Sequence, residues 1–181
     1  MFDQKLMKNL PNALTIFRIF LAILVMAIIL YADMGNFTMR VVACGVFVFA
    51  SFTDFLDGFI ARRYALQSRF GEVFDPLADK MLVLGVFIAL LVAKIASPWA
   101  VFLILSREFF ITGLRVVVAA NQVNVSADIF GKIKSIAQYW ALGCLIVQIL
   151  PEFWNQFFLW FAVALTLISG VNYVRNYFKS L

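Results

Sequence analysis

The sequence predicts an all-α integral membrane protein with six transmembrane helices and a short N-terminal interfacial amphipathic helix. Three observations carry that expectation. Of 181 residues, 64% are apolar and only 14% charged, whereas a soluble domain is about 45–50% apolar. The mean hydropathy is +0.96. The apolar residues also fall into six runs, each long enough for a spanning helix, which needs about 20 predominantly apolar residues.

In chain order, MFDQKLMKNL puts Phe2, Leu6, Met7 and Leu10 on one helical face, with Lys5 and Lys8 facing away. That pattern suits a helix lying in the headgroup region, over residues 1–11. A secretory signal is disfavoured, since the run that follows is long enough to span and no A-x-A-type site follows it. Spans are expected at 13–32, 38–62, 72–95, 98–120, 129–150 and 154–176. They are separated by DMGN, QSRFG, KIASP, NQVNVSAD and LPE, which are turn-forming or polar stretches. No Pro/Gly/Ser linker or internal repeat divides the chain, so residues 1–181 read as a single domain, with the six-helix bundle over 12–181.

With the N-terminus in the cytoplasm, Lys5, Lys8, Arg62, Arg63, Arg69, Lys132, Lys134, Arg175 and Lys179 fall on or near that side. Arg40 and Lys94 fall opposite. This asymmetry puts both termini in the cytoplasm. It also accounts for the net charge of +5 through topology and anionic lipid, so no nucleic-acid partner is implied. Cys44 and Cys144 lie inside apolar runs and read as small hydrophobes rather than a disulfide. The chain has no histidine, which excludes Ser-His-Asp chemistry, histidine-ligated zinc and histidine acid–base catalysis.

The stretch from Asp54 to Asp79, DFLDGFIARRYALQSRFGEVFDPLAD, is the exception to the oily pattern. Asp54 and Asp57 are spaced i, i+3, and Asp75 and Asp79 i, i+4, so each pair shares one face of its helix. At about 1.5 Å per residue, Asp54 lies roughly 20 Å from a turn near residue 67, Asp79 about 18 Å, Asp57 about 15 Å and Asp75 about 12 Å. In an antiparallel hairpin the two pairs meet at similar depth. Each buried carboxylate costs at least about 2.5 kcal/mol at the centre of a membrane helix, so something must neutralise them. An all-oxygen donor set without histidine points to two hard divalent cations, Mg2+ or Mn2+. Gly58, Ala61 and Gly71 are small residues beside the carboxylates, serving either helix packing or close approach of a ligand. Arg62 serves either to pair with an aspartate or to bind a phosphate.

The pattern Asp54-x-x-Asp57-Gly58-x-x-Ala61-Arg62, then eight residues, then Gly71-x-x-x-Asp75-x-x-x-Asp79, resembles the signature of the CDP-alcohol phosphotransferases without a departure. The resemblance implies a six-helix membrane enzyme that moves a substituted phosphoryl group from a CDP-alcohol to an acceptor alcohol and releases CMP. It implies that Asp54, Asp57, Asp75 and Asp79 hold two divalent ions, with Asp79 also the general base. It places Gly58, Ala61, Arg62 and Gly71 around the cytidine diphosphate, and Asn12, Thr15 and Arg18, an i, i+3, i+6 stripe on the first span, along the same nucleotide site. A homodimer in a bacterial cytoplasmic membrane is implied as well, with its active site facing the cytoplasm.

NLPNALTIFR, SREFFITGLR (106–115) and GKIKS (131–135) look like the members of this family that join CDP-diacylglycerol to glycerol 3-phosphate. From the residues themselves, a phosphorylated acceptor needs a pocket for a dianion. Arg107 and Arg115, eight residues apart on the fourth span, and Lys132 and Lys134 at the start of the fifth supply cations for it. Lysines at i, i+2 do not share a face, so one of the two is open to an ordinary snorkelling role. Glu108 is expected to pair with Arg115 or with a basic neighbour across helices. Lys80 is placed either against a carboxylate or against phosphate. Rival readings are a related enzyme with serine, an inositol phosphate or phosphatidylglycerol as acceptor, and, from another class, a divalent-cation transporter.

Overall fold

The computed structural model describes the backbone of residues 2–64, 69–120 and 129–180; the side chains of 1–12, 14, 54–76, 79, 119–128, 180 and 181 lie outside the described residues. Six helices follow one another: α1 (Phe2–Tyr31), α2 (Phe37–Tyr64), α3 (Arg69–Val92), α4 (Pro98–Ala120), α5 (Ile129–Val147) and α6 (Glu152–Ser180). The expected interfacial helix is not a separate element. α1 runs unbroken from Phe2 to Tyr31, with Pro11 inside it.

The helix ends follow from local chemistry. In the DMGN turn, Asn36 N–H donates to the Asp33 carbonyl at 3.0 Å and Gly35 N–H to Asp33 Oδ1 at 2.9 Å. Asn36 then caps α2, its Oδ1 accepting from Thr38 N–H at 2.9 Å. α4 opens with Pro98 in its first turn, where a missing N–H costs nothing. α3 and α5 stop three residues before their expected ends. Each closes on a left-handed non-glycine residue, Lys94 (φ 60°) and Gln148 (φ 52°).

The chain divides into two compact units, Met1–Ala93 and Lys94–Leu181. In the first, α1 packs against α2 and α3, and α2 meets α3. Its buried residues form stripes: Thr15, Arg18, Ala22, Val25 and Ile29 on α1; Ala43, Phe47 and Ala50 on α2; Ala78, Leu82, Val86 and Leu90 on α3. Alanines along these seams let the backbones approach closely. In the second unit α6 packs against both α4 and α5, burying Leu159, Ala162 and Val163 together with Ile104, Leu142 and Leu145.

Large apolar side chains cover the outside of both units, among them Phe17, Phe20, Val48, Phe102, Trp140 and Phe161. Among the described residues, one helix, Glu152–Lys179, is long and apolar enough to cross a membrane. The described apolar parts of α1, α2 and α3 are shorter, Thr15–Tyr31, Phe37–Thr53 and Lys80–Val92. α4 and α5 are interrupted by Arg107, Glu108 and Arg115 and by Lys132 and Lys134. Cys44 and Cys144 are half-buried and form no disulfide.

Candidate active site

The four aspartates fall on the backbone of two continuous helices, Asp54 and Asp57 near the end of α2, Asp75 and Asp79 near the start of α3. Their side chains lie outside the described residues, as do those of Asn12, Gly58, Ala61, Arg62 and Gly71. Helical register still locates their positions. Phe47, Ala50, Asp54 and Asp57 recur at i, i+3, i+7, i+10, so by register the aspartate positions share a face of α2 with the buried Phe47 and Ala50. Asp75, Asp79, Leu82 and Val86 recur at i, i+4, i+7, i+11 and do the same on α3. On α1, Thr15 and Arg18 are fully buried, one turn apart on the stripe that continues into Ala22 and Val25. Among the described residues, the inward stripe of α1 thus becomes polar at Thr15 and Arg18. Among the described residues no group of three or more His, Cys, Asp or Glu side chains could hold a metal; the aspartate quartet is outside that set.

In the second unit the predicted cations separate into two kinds. Glu108 is buried on α4, and one of its oxygens, Oε1, accepts from both Arg107 Nη1, at 3.0 Å, and Lys134 Nζ of α5. The three side chains are only 8–10% exposed. Desolvated charges of this kind persist only when paired. Two cations on one carboxylate leave this trio with one positive charge in excess. Glu108 therefore pairs across helices with Lys134, as one of the two expected partnerships requires. Lys132, two residues from Lys134, is exposed, in keeping with the i, i+2 spacing that sends the two lysines to different faces.

Arg107 is held from a second direction. Its Nη2 donates to Ser169 Oγ of α6 at 2.8 Å, while its Nε is buried and makes no hydrogen bond among the described residues. Arg115 is exposed, and its guanidinium lies over the ring of Tyr173, 5.5 Å from the centroid, a cation–π distance. The α4–α6 seam also borders an apolar cavity of about 490 Å3, whose lining includes Leu103, Arg107, Phe110, Leu167 and Gly170. The structure thus brings Arg107, Glu108, Lys134 and Ser169 together. It sets Arg115 about 12 Å further along α4, at about 1.5 Å per residue, and leaves Lys132 apart.

Sequence reasoning overlooked α6, which reads as generically apolar. Thr166, Ser169, Gly170 and Tyr173 recur at i, i+3, i+4, i+7, a stripe of small and polar residues that points at the partner helices. Thr166 accepts from Gln138 of α5 at 2.9 Å, both buried.

The family model for CDP-alcohol phosphatidyltransferase matches residues 8–168. The chain belongs to this family. A CDP-alcohol phosphatidyltransferase with the aspartate signature intact also has relatives over nearly its whole length. It is 41% identical over 175 residues to the CDP-diacylglycerol--glycerol-3-phosphate 3-phosphatidyltransferase of Rickettsia typhi, covering 93% of this chain and 97% of the relative. With the protein of the same name from Bacillus subtilis, identity is 38% over 189 residues, covering 97% and 98%. With a probable phosphatidylglycerophosphate synthase of Mycobacterium tuberculosis it is 33% over 175 residues, covering 96% and 83%. Family membership removes the cation-transporter reading.

Proposed function

We propose that this chain transfers the phosphatidyl group of CDP-diacylglycerol to the sn-1 hydroxyl of glycerol 3-phosphate, forming phosphatidylglycerophosphate and CMP. The observation that carries the proposal is the coincidence, on one chain, of the eight-position aspartate signature with full-length relatives that bear the name of that transferase. The paired cations of α4 and α5 support a phosphorylated acceptor, because a neutral alcohol needs no excess buried positive charge.

The donor set fits two hard divalent cations. Asp54, Asp57, Asp75 and Asp79 are all-oxygen ligands at helical spacing on two helices that touch, and without compensation four carboxylates brought together would repel one another. When bound, Mg2+ or Mn2+ would offset that repulsion and the charge that develops on the departing CMP phosphate.

Asn12, Thr15, Asp54, Asp57, Gly58, Ala61, Arg62 and Gly71 hold the cytidine diphosphate. Asp79 takes the proton of the acceptor hydroxyl. The freed oxygen forms a bond to the phosphorus carrying diacylglycerol as the bond from that phosphorus to CMP breaks. Arg107 and Lys134 receive the acceptor's phosphate, with Arg107 Nε, which makes no hydrogen bond among the described residues, available as a further donor. Arg115 and Lys132, both exposed, form its approach.

The six helices are proposed as six spans of a bacterial inner membrane, with both termini and the active site cytoplasmic and the chain a homodimer. The apolar exterior supports a lipid environment. Trp99 and Trp154, exposed in the first turns of α4 and α6, suit the opposite interface.

The test is incorporation of labelled acceptor into chloroform-extractable product by the purified protein with CDP-diacylglycerol. Label from glycerol 3-phosphate is expected in the lipid phase. Label entering only from serine, an inositol phosphate or phosphatidylglycerol would keep the chemistry and refute this acceptor.

A further inference from the structure

Arg107 is constrained on two of its three N–H edges and along its shaft. Nη1 is fixed by Glu108 at 3.0 Å and Nη2 by Ser169 Oγ at 2.8 Å, which leaves Nε, itself buried, as the edge without a hydrogen bond among the described residues. The shaft lies against Gly170, where an added Cβ would stand 3.2 Å from both Cγ and Nε of Arg107. Contacts that short force the neighbour to give by a few tenths of an ångström. Ser169 and Gly170 are themselves buried.

The chemistry of the two anchors differs. Glu108 holds the guanidinium and subtracts a charge that Lys134 restores. Ser169 holds it through a neutral hydroxyl, which fixes direction without cancelling charge. A guanidinium clamped by a second carboxylate would be oriented but electrically spent, and one without a second anchor would lose part of its energy to the rotamer freedom of a long side chain.

We propose that Ser169 and Gly170 are positioning residues that aim Arg107 at the acceptor's phosphate, so that α6 is a specificity-determining element for a phosphorylated acceptor. This rests on the phosphatidyl transfer proposed above. Ser169 fixes the direction of the fork, and the absent side chain at 170 leaves room for the shaft and for Nε, which an added Cβ would approach to 3.2 Å.

The test is steady-state CMP release by the full-length protein in detergent, with both substrates varied, for wild type, Ser169→Ala, Ser169→Thr and Gly170→Ala. Ser169→Ala is expected to raise KM for glycerol 3-phosphate about tenfold, the scale of one lost hydrogen bond to a charged group, with KM for CDP-diacylglycerol unchanged. Ser169→Thr, which keeps the hydroxyl, stays within about threefold of wild type on the same scale. Gly170→Ala moves the same parameter in the same direction as Ser169→Ala. An active wild type whose Ser169→Ala and Gly170→Ala variants keep its KM for glycerol 3-phosphate overturns the positioning role alone, as does an equal change for both substrates. A wild type that releases no CMP with glycerol 3-phosphate overturns the transfer reading and the positioning role together. Gly170→Ala decides the matter if Ser169→Ala does not fold.

Discussion

Glu108 is the residue on which two buried cations depend, since Arg107 and Lys134 share its Oε1. Glu108→Gln is expected to cost about 3–5 kcal/mol, the penalty for removing one partner of a buried ion pair. Adding Lys134→Met to that variant should recover part of the loss, and denaturant unfolding in detergent measures both; two independent, additive losses would contradict the shared-carboxylate geometry. Asp79→Asn is expected to abolish CMP release while sparing most CDP-diacylglycerol binding, and a fully active variant would remove the base. Much of this was legible in the sequence. Arg107, Arg115 and Lys134 stand out because a charge within an apolar run demands compensation, and the four aspartates because two helical spacings coincide. Ser169 and Gly170 did not stand out, since serine and glycine in an apolar helix are ordinary packing residues until the helix they face is known.

Among the elements, α6 ties the second unit together by packing on both α4 and α5. Thr166→Val deletes the acceptor for Gln138 Nε2 in a buried setting, and the orphaned amide is expected to cost about 1–3 kcal/mol. Unchanged unfolding would show that the pair adds nothing. At the end of α3, Lys94 is exposed with φ at 60°, a conformation that costs a non-glycine residue about 1 kcal/mol or more. Lys94→Gly should therefore raise the thermal midpoint in detergent, and a lower midpoint would show that the lysine's favourable place at a helix C-terminus outweighs the strain. Helix starts were more legible than helix ends. Asn36 and Pro98 announce α2 and α4 through capping chemistry, whereas Lys94 and Gln148 carry no side-chain signal of a left-handed stop. The continuity of α1 was hidden for a related reason, because an amphipathic beginning and a proline suggest a boundary that the backbone does not make.

For the whole molecule, an all-helical chain with a greasy exterior was legible from composition and run lengths alone. The division at Lys94 was not, because KIASP reads as a turn like the others and nothing in it marks the edge of a compact unit. The aspartate positions lie in the first unit, and the buried trio of Arg107, Glu108 and Lys134 lies in the second. Turnover on the proposed reading needs both, so Asp79→Asn and a charge-removing Arg107→Met should each lower kcat/KM, but only the second should do so through KM for the acceptor. The most direct measurement is CMP release by the purified, detergent-solubilised protein given CDP-diacylglycerol and Mg2+ or Mn2+, with and without glycerol 3-phosphate. Release that requires both the divalent cation and glycerol 3-phosphate is the predicted result. Release that proceeds without glycerol 3-phosphate, or none with it, would contradict the assignment.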